Sequence, residues 1–278
     1  MKPLLSIIIP NFNNSLQLGN LLQQIEAEIA SGTLSRSDIE VLVMDGGSTD
    51  GVLDVINKYR GTLSYWHSRP DKGQADAVCQ GFELARGRWL AWQNSDDVYV
   101  AGWSKVLNTL ANTAIQQSYD AVLGGTIFVS RDDGRISKLV PSARPKIRRA
   151  WYYHECPNQS LFLNAALKPA DIMDRSLQFC MDFDLIVSLM QRRFRVLPID
   201  EIIGAFVDRD DNKTSMLQHI HDDERRRVLS RIDRRSQNLR AITRIDRYFA
   251  LLRPGCFRQV FRYVILRTRY AKIADVIH

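Results

Sequence analysis

The sequence predicts an open α/β sheet with helices on both faces, and three observations predict it. Apolar strand-like runs alternate with helix-like runs four times in fewer than 100 residues, which is the pattern of a mostly parallel sheet. Each apolar run ends abruptly in polar residues, Asn11 and Asn13 after the first and acids after the other three, at the carboxyl edge where such sheets bind ligands. The turn after the first run, Pro10-Asn11-Phe12-Asn13-Asn14, has no glycine, so a Gly-x-Gly-x-x-Gly dinucleotide fingerprint is excluded. No phosphate loop ending in Gly-Lys-Ser occurs either, and dehydrogenase and ATPase readings fail together.

Taken in order, Leu4–Ile9 is a β-rich run fit for burial on both faces. Ser15 can cap a helix whose residues Leu18, Leu21, Leu22, Ile25 and Ile29 keep helical spacing. A second strand, Ile39–Met44, ends in Asp45-Gly46-Gly47-Ser48-Thr49-Asp50-Gly51. There the glycines permit tight turns, and Ser48, Thr49 or Asp50 can cap a helix beginning near Val52. The third strand is Leu63–His67, and the loop Ser68–Gly73 leads into a helix from Gln74 to Ala85. Arg88–Trp92 is the fourth strand, and Gln93-Asn94-Ser95-Asp96-Asp97 follows it. Adjacent carboxylates repel one another, so this pair calls for a cation or for hydrogen-bond donors.

In the second half, a helix is expected after Ala101 to about Gln116. A strand at Ala121–Leu123 is expected to break at Gly124-Gly125 before a second run, Thr126–Val129. Arg131–Arg135 reads as a hairpin turn leading to Ile136–Val140, which makes Asp132 and Asp133 turn residues. His154, Glu155 and Cys156 lack a second ligand pair at zinc spacing. Cys180–Leu185 opens a helix, and Arg195–Ile199 and Gly204–Val207 read as two more strands.

Of 278 residues, 45% are hydrophobic and 25% charged, ordinary values for a globular chain long enough to bury a large core. No apolar stretch reaches the ~20 residues that cross a bilayer. The four cysteines are scattered, as in a reducing compartment. The net charge of +7 is uneven: between Arg225 and Lys272 fourteen arginines and one lysine face two acids, so the rest of the chain is mildly acidic. We therefore expect a body over residues 1–215 and a basic amphipathic helical region over 216–278. Arginines spaced among aromatics there fit an anionic membrane surface better than nucleic acid, which places the protein in the cytoplasm on the inner face of the membrane.

Four segments together resemble the ordered motifs of family 2 glycosyltransferases: Ser6–Asn13, Asp45–Gly51, Pro70–Ala77 and Asn94–Asp97. The resemblance runs from about Ser6 to Ser215. It implies a GT-A (Rossmann-like) fold with an open mixed sheet, a nucleotide-sugar donor, Mn2+ or Mg2+, and inversion at the anomeric carbon. By the same resemblance Asp97 is the metal ligand, Asp96 touches ribose or metal, and Asp45 hydrogen-bonds the base. Pro10, Asn11 and Asn13 line the nucleotide pocket, which Asp71, Lys72 and Gly73 complete, with Lys72 equally readable as a surface charge. Asp182 aligns with the general base, although Met181 stands where relatives carry a glutamate. Gln159 lines the crevice, and His154 has a structural or acceptor-contacting role. Lys213 and Ser215, with Arg209, fall where the family approaches the diphosphate, but its usual Arg-x-His arrangement is absent here. UDP is the commonest donor nucleotide in such proteins, and a glycan or lipid-linked acceptor is expected. Two other classes stay open on sequence: a nucleotidyltransferase, and a non-catalytic scaffold whose basic tail binds nucleic acid or a partner.

Overall fold

The computed structural model describes residues 2–130, 135–146, 156–207 and 218–232. The first half builds the expected alternation: β1 (Leu5–Asn11), α1 (Ser15–Ala30), β2 (Ile39–Asp45), α2 (Val52–Lys58), β3 (Tyr65–Ser68), α3 (Gln74–Leu84) and β4 (Trp89–Trp92). These four strands are parallel and lie in the order β3-β2-β1-β4. Every residue of β1 and β2 is buried, which is why both read as unbroken apolar runs.

Beyond β4 the sheet becomes mixed. The second half adds β5 (Val98–Tyr99), α4 (Val106–Ala111), α5 (Thr113–Ser118), β6 (Ala121–Val129), β7 (Ile136–Val140), β8 (Leu161–Asn164), α6 (Met181–Gln191), β9 (Val196–Val207) and α7 (Gln218–Ser230). The sheet continues β4-β8-β6-β9-β5, with β7 paired to β6. β8 runs antiparallel to both β4 and β6, whereas β6 and β9 are parallel.

Side-chain alternation along the strands divides the core into two layers. Leu5, Ile7 and Ile9 of β1, with Trp89 and Ala91 of β4, meet α1, α2 and α4. Ile8, Leu90 and Trp92 point the other way, toward α3, α6 and the end of α7. Cys79 and Cys180 lie in the second layer, where burial pushes their thiols up to about 11 and about 12.

Three expectations are corrected. Gly124-Gly125 does not break the strand: β6 is continuous, and the irregularity appears as register shifts against β9 on either side of Gly125. For the same reason Arg195–Ile199 and Gly204–Val207 belong to one strand, because β9 follows β6 through the shift and stays paired. The helix expected to reach Gln116 is interrupted at Asn112. That residue is extended (ψ 117°), and its side chain accepts the amides of Ala114 and Ile115 as the cap of α5. Asp132 and Asp133 lie outside the described residues.

At the amino end of the strands, Glu40 is only 2% exposed. It accepts Ser6 Oγ (2.6 Å), the Arg86 amide (2.7 Å) and Arg86 Nε (2.7 Å), while Ser6 Oγ accepts the Gly87 amide at 2.8 Å. Burial raises the Glu40 carboxyl's pKa, but the bonds from Ser6 and Arg86 outweigh it and hold it below the usual range. A β-carbon on Gly87 would come within 2.5 Å of Ser6 N and Oγ, so the chain must approach here as bare backbone. Glu40→Ala strands the Ser6 and Arg86 donors and is expected to cost about 2–3 kcal/mol, read as a lower urea midpoint with unchanged m-value.

Candidate active site

The carboxyl edge of the parallel strands is organised by two buried carboxylates. The first is Asp45, at the last position of β2 and fully inaccessible. Its Oδ1 accepts Asn11 Nδ2 (2.8 Å) and Ser48 Oγ (2.5 Å). Its Oδ2 accepts the amides of Gly47 (3.1 Å) and Ser48 (2.9 Å) and the Ser68 hydroxyl (2.6 Å). One carboxylate thus ties together the ends of β1, β2 and β3. Burial favours the protonated form, yet the donors from Ser48, Ser68 and Asn11 prevail and the carboxyl stays below its ordinary range.

The loops after β1 and β2 are also stitched to each other. Asn13 has a left-handed backbone (φ 48°), which asparagine tolerates well. Its amide donates to Ser48 Oγ at 2.7 Å, and its Oδ1 accepts the Thr49 amide at 3.0 Å. Asp50 accepts the Ser15 amide at 2.7 Å. Ser48, Thr49 and Asp50 therefore do not cap α2. That helix starts after Gly51, itself left-handed at φ 86°, and the polar side chains cross between loops instead.

Above this platform Phe12 is 60% exposed, an unusual state for an aromatic at the end of a fully buried strand. A β-carbon at Gly46 would meet the Phe12 ring at 3.3 Å and Asp71 Oδ2 at 3.1 Å, so Phe12, Gly46 and Asp71 converge. Asp71 Oδ1 accepts the Gly73 amide at 2.7 Å in the turn before α3, and Lys72 and Gly73 are exposed there. Pro10 and Asn11 are buried in β1. Oδ1 of Asn11 has no hydrogen-bond partner among the described residues.

The second buried carboxylate is Asp97, 2% exposed. Its Oδ2 accepts two side-chain amides, Asn94 Nδ2 and Gln159 Nε2, both at 2.9 Å. Asn94 Oδ1 in turn accepts Trp92 Nε1 and Gln74 Nε2, both at 2.7 Å. An indole N–H can only donate, so the Asn94 oxygen must face Trp92 and its NH2 must face Asp97. Gln159 is pinned from below: a β-carbon at Gly204 would sit 2.5 Å from the Gln159 carbonyl oxygen. Asp96, next in sequence, is half-buried. Burial and then the charge of Asp97 push the Tyr99 phenol upward, so Tyr99 stays neutral beside the site.

Asp182 stands in the first turn of α6, half-buried, with its Oδ1 accepting the Phe183 amide at 2.7 Å. It lines a mainly apolar cleft with Trp92, Asn158, Leu161 and Leu185. Trp92 and Asn158 join the two acids: Trp92 holds Asn94 against Asp97, and Asn158 adjoins Gln159, the other donor to Asp97. Asp184 is fully buried and points away, toward α7. Among the described residues no group of three or more His, Cys, Asp or Glu side chains gathers to hold a metal ion.

Sequence reasoning thus named Asn11, Asn13, Asp45, Asp71, Asp96, Asp97, Gln159 and Asp182, and the structure brings them to one edge and its adjoining cleft. His154, Lys213 and Ser215, with Arg209, lie outside the described residues. It missed Phe12, Ser48, Ser68 and the bridging role of Asn94. An aromatic between two asparagines was a usable signal for Phe12, whereas the serines form contacts across strands that no local pattern encodes.

Residues 6–169 match the family model described as glycosyl transferase family 2. A glycosyltransferase of PGL/p-HBAD biosynthesis from Mycobacterium bovis is 36% identical over 136 residues, which span 46% of this chain and 48% of that protein. The chain thus spans about half the length of the curated relatives it matches. S. aureus TarS in complex with UDP-GlcNAc superposes with a TM-score of 0.54 at 18% identity, over 81% of this chain and 70% of that one. The mannosyltransferase PcManGT from Pyrobaculum calidifontis, in complex with GDP-Man and Mn2+, gives 0.53 at 13% identity, over 99% and 88%. These structures share the GT-A fold with this chain.

Because Asp45 is held ionised by its donors, its contribution to stability is complete above its unfolded pKa and is lost as pH falls through the lower folded value. Asp45→Asn should be less stable than the parent at pH 7 and should lose less stability between about pH 5 and pH 3, a range that brackets the ordinary aspartate pKa of ~3.9. Urea midpoints across that range measure the difference.

Proposed function

The chain belongs to glycosyl transferase family 2, and from that premise we propose that it moves a sugar from a nucleotide diphosphate donor to an acceptor hydroxyl with inversion. The observation that carries this reading is Asp97, a buried carboxylate at the strand edge whose Oδ2 is fixed by Asn94 and Gln159, beside the cleft that Asp182 lines.

The base of the donor would stack on Phe12, whose exposed ring sits beside Gly46 and Asp71. The carboxylate of Asp45 is filled by five protein donors, so its work is to hold the pocket rather than to bond the base directly. Asn11 offers a buried oxygen without a partner among the described residues, which a ring N–H of the base would satisfy. Pro10, Asn13, Asp71, Lys72 and Gly73 complete the surround, and Asp96 faces the ribose. UDP fits as the donor nucleotide because uracil carries such an N–H, and so do thymine and guanine.

The acids at the edge fit a hard divalent cation, Mn2+ or Mg2+. Two adjacent carboxylates, with no third His, Cys, Asp or Glu gathered to them among the described residues, match a cation bound by one or two carboxylates together with substrate phosphates. When bound, the cation acts as a Lewis acid on the diphosphate oxygens. Asp97 would be its protein ligand, and Asn94 and Gln159 keep that carboxylate oriented. Asp182 would accept the proton of the acceptor hydroxyl as the hydroxyl oxygen bonds the anomeric carbon. The bond from that carbon to the diphosphate breaks on the opposite face, so configuration inverts and the charge leaves with the nucleotide. The apolar walls beside Asp182 suit an acceptor with a lipid-linked or otherwise apolar portion.

The domain limits follow the same reading, with a transferase body over 1–215 and a basic region over 216–278. No helix among the described residues is long and apolar enough to cross a membrane. Of the basic region we assign the part beyond α7 to an anionic membrane surface, with the crevice open to the cytoplasm. The test is release of nucleoside diphosphate from UDP-glucose, UDP-N-acetylglucosamine and GDP-mannose in the presence of Mn2+. Asp97→Asn and Asp182→Asn should each lower turnover at least about 100-fold, while far-UV circular dichroism stays that of the parent. Full turnover in either variant removes that residue's role.

A further inference from the structure

α7 lies beyond the residues matched by the family model, yet its side chains converge on the segment that delivers Asp182. The first amides of a helix have no partners within it, and α6 has no side-chain cap of its own, because its capping residue is Cys180. Glu224 of α7 reaches the amide of that capping residue and, beyond it, the two residues that lead into the helix. Its Oε1 accepts the Gln178 amide at 2.7 Å, and its Oε2 accepts the amides of Phe179 and Cys180, both at 2.9 Å. A carboxylate at this place also meets the positive end of the helix dipole.

The neighbouring residues of α7 hold the next turn. The Arg225 guanidinium lies 4.7 Å from the centre of the Phe183 ring. Arg231 pairs with Asp184, which is fully buried, and Arg227 reaches Asp174 at 2.7 Å. Asp184 also accepts the Asp174 amide at 3.0 Å, so the loop before α6 and the helix itself are gripped together. Val228, Leu229 and Ile232 complete the contact within the core layer that contains α6. Residues 178–180 on one side of Asp182, and Phe183 and Asp184 on the other, are thus fixed by α7.

We infer that Glu224 is a positioning residue for Asp182 and that α7, at the start of the basic region, is the clamp that sets the orientation of the acceptor-side carboxylate. This rests on the reading of Asp182 as the general base. A misplacement of about 1 Å at a reacting group costs on the order of 100-fold in rate, so loosening this clamp should act on turnover and not on donor binding. The three amides prefer two acceptor oxygens. Glutamine at 224 keeps one of them and alanine keeps none.

The experiment uses the full chain with Glu224→Ala and Glu224→Gln and reads two quantities. Amide hydrogen exchange reports the clamp without reference to activity. Nucleoside diphosphate release from UDP-glucose, UDP-N-acetylglucosamine and GDP-mannose with Mn2+ reports the coupling. In Glu224→Ala we expect faster exchange confined to residues 178–184 and a kcat lower by about 10- to 100-fold. The nucleoside diphosphate Kd should stay within about twofold, and Glu224→Gln should fall between parent and alanine. Unchanged exchange, or faster exchange with unchanged kcat, overturns the inference. If alanine loosens the whole protein, the same two readouts on Glu224→Gln decide. Should the parent release nothing from any donor, the transferase reading fails instead, and exchange at 178–184 alone decides whether Glu224 holds α6.

Discussion

A carboxylate buried at the end of a strand must be met by donors, and the loops above this sheet are shaped by meeting two of them. Asp45 draws in the end of β1 through Asn11, the β2–α2 turn through Gly47 and Ser48, and the end of β3 through Ser68. Asp97 draws in Asn94 and Gln159, and through Asn94 the start of α3. Leaving such a group unpaired would cost several kcal/mol, more than any single turn preference contributes. The loop conformations therefore follow from the acids, and Ser48 gives up a local capping role to serve Asp45.

This ordering of energies accounts for what could be read in the sequence. The four parallel strands and their helices were legible because burial on both faces leaves an unbroken apolar run, and β1 and β2 are inaccessible along their whole length. The acids at the strand ends were legible for the converse reason, since a carboxylate following such a run is conspicuous. The continuity of β6 and β9 was not, because Gly124-Gly125 in one and Asp200-Glu201 in the other look like breaks in a single chain, and only the pairing of the two strands shows a register shift. β5 was equally hidden: a two-residue strand, Val98–Tyr99, is defined by its pairing with Ala205 and Gly204 and by nothing in its own composition. Gly204 itself is explained only by Gln159 lying against it.

The charge pattern set residues 216–278 apart as an appendage, and α7 belongs to that basic stretch by composition. In the structure Glu224, Arg225 and Arg227 are spent on the entry to α6, and its apolar residues enter the core beside that helix. Composition reports the average character of a segment, whereas its position is decided by a few residues that find complementary groups. Glu224, the last of three acids before a run of arginines, is such a residue.

Isothermal titration of the protein with UDP, GDP and dTDP, each with and without Mn2+, tests the central claim most directly. One of these nucleotides should bind only in the presence of the cation, and Asp97→Asn should abolish this binding. Binding of none of them, or binding indifferent to both Mn2+ and Asp97, would contradict the assignment of this strand edge as a nucleotide-diphosphate site.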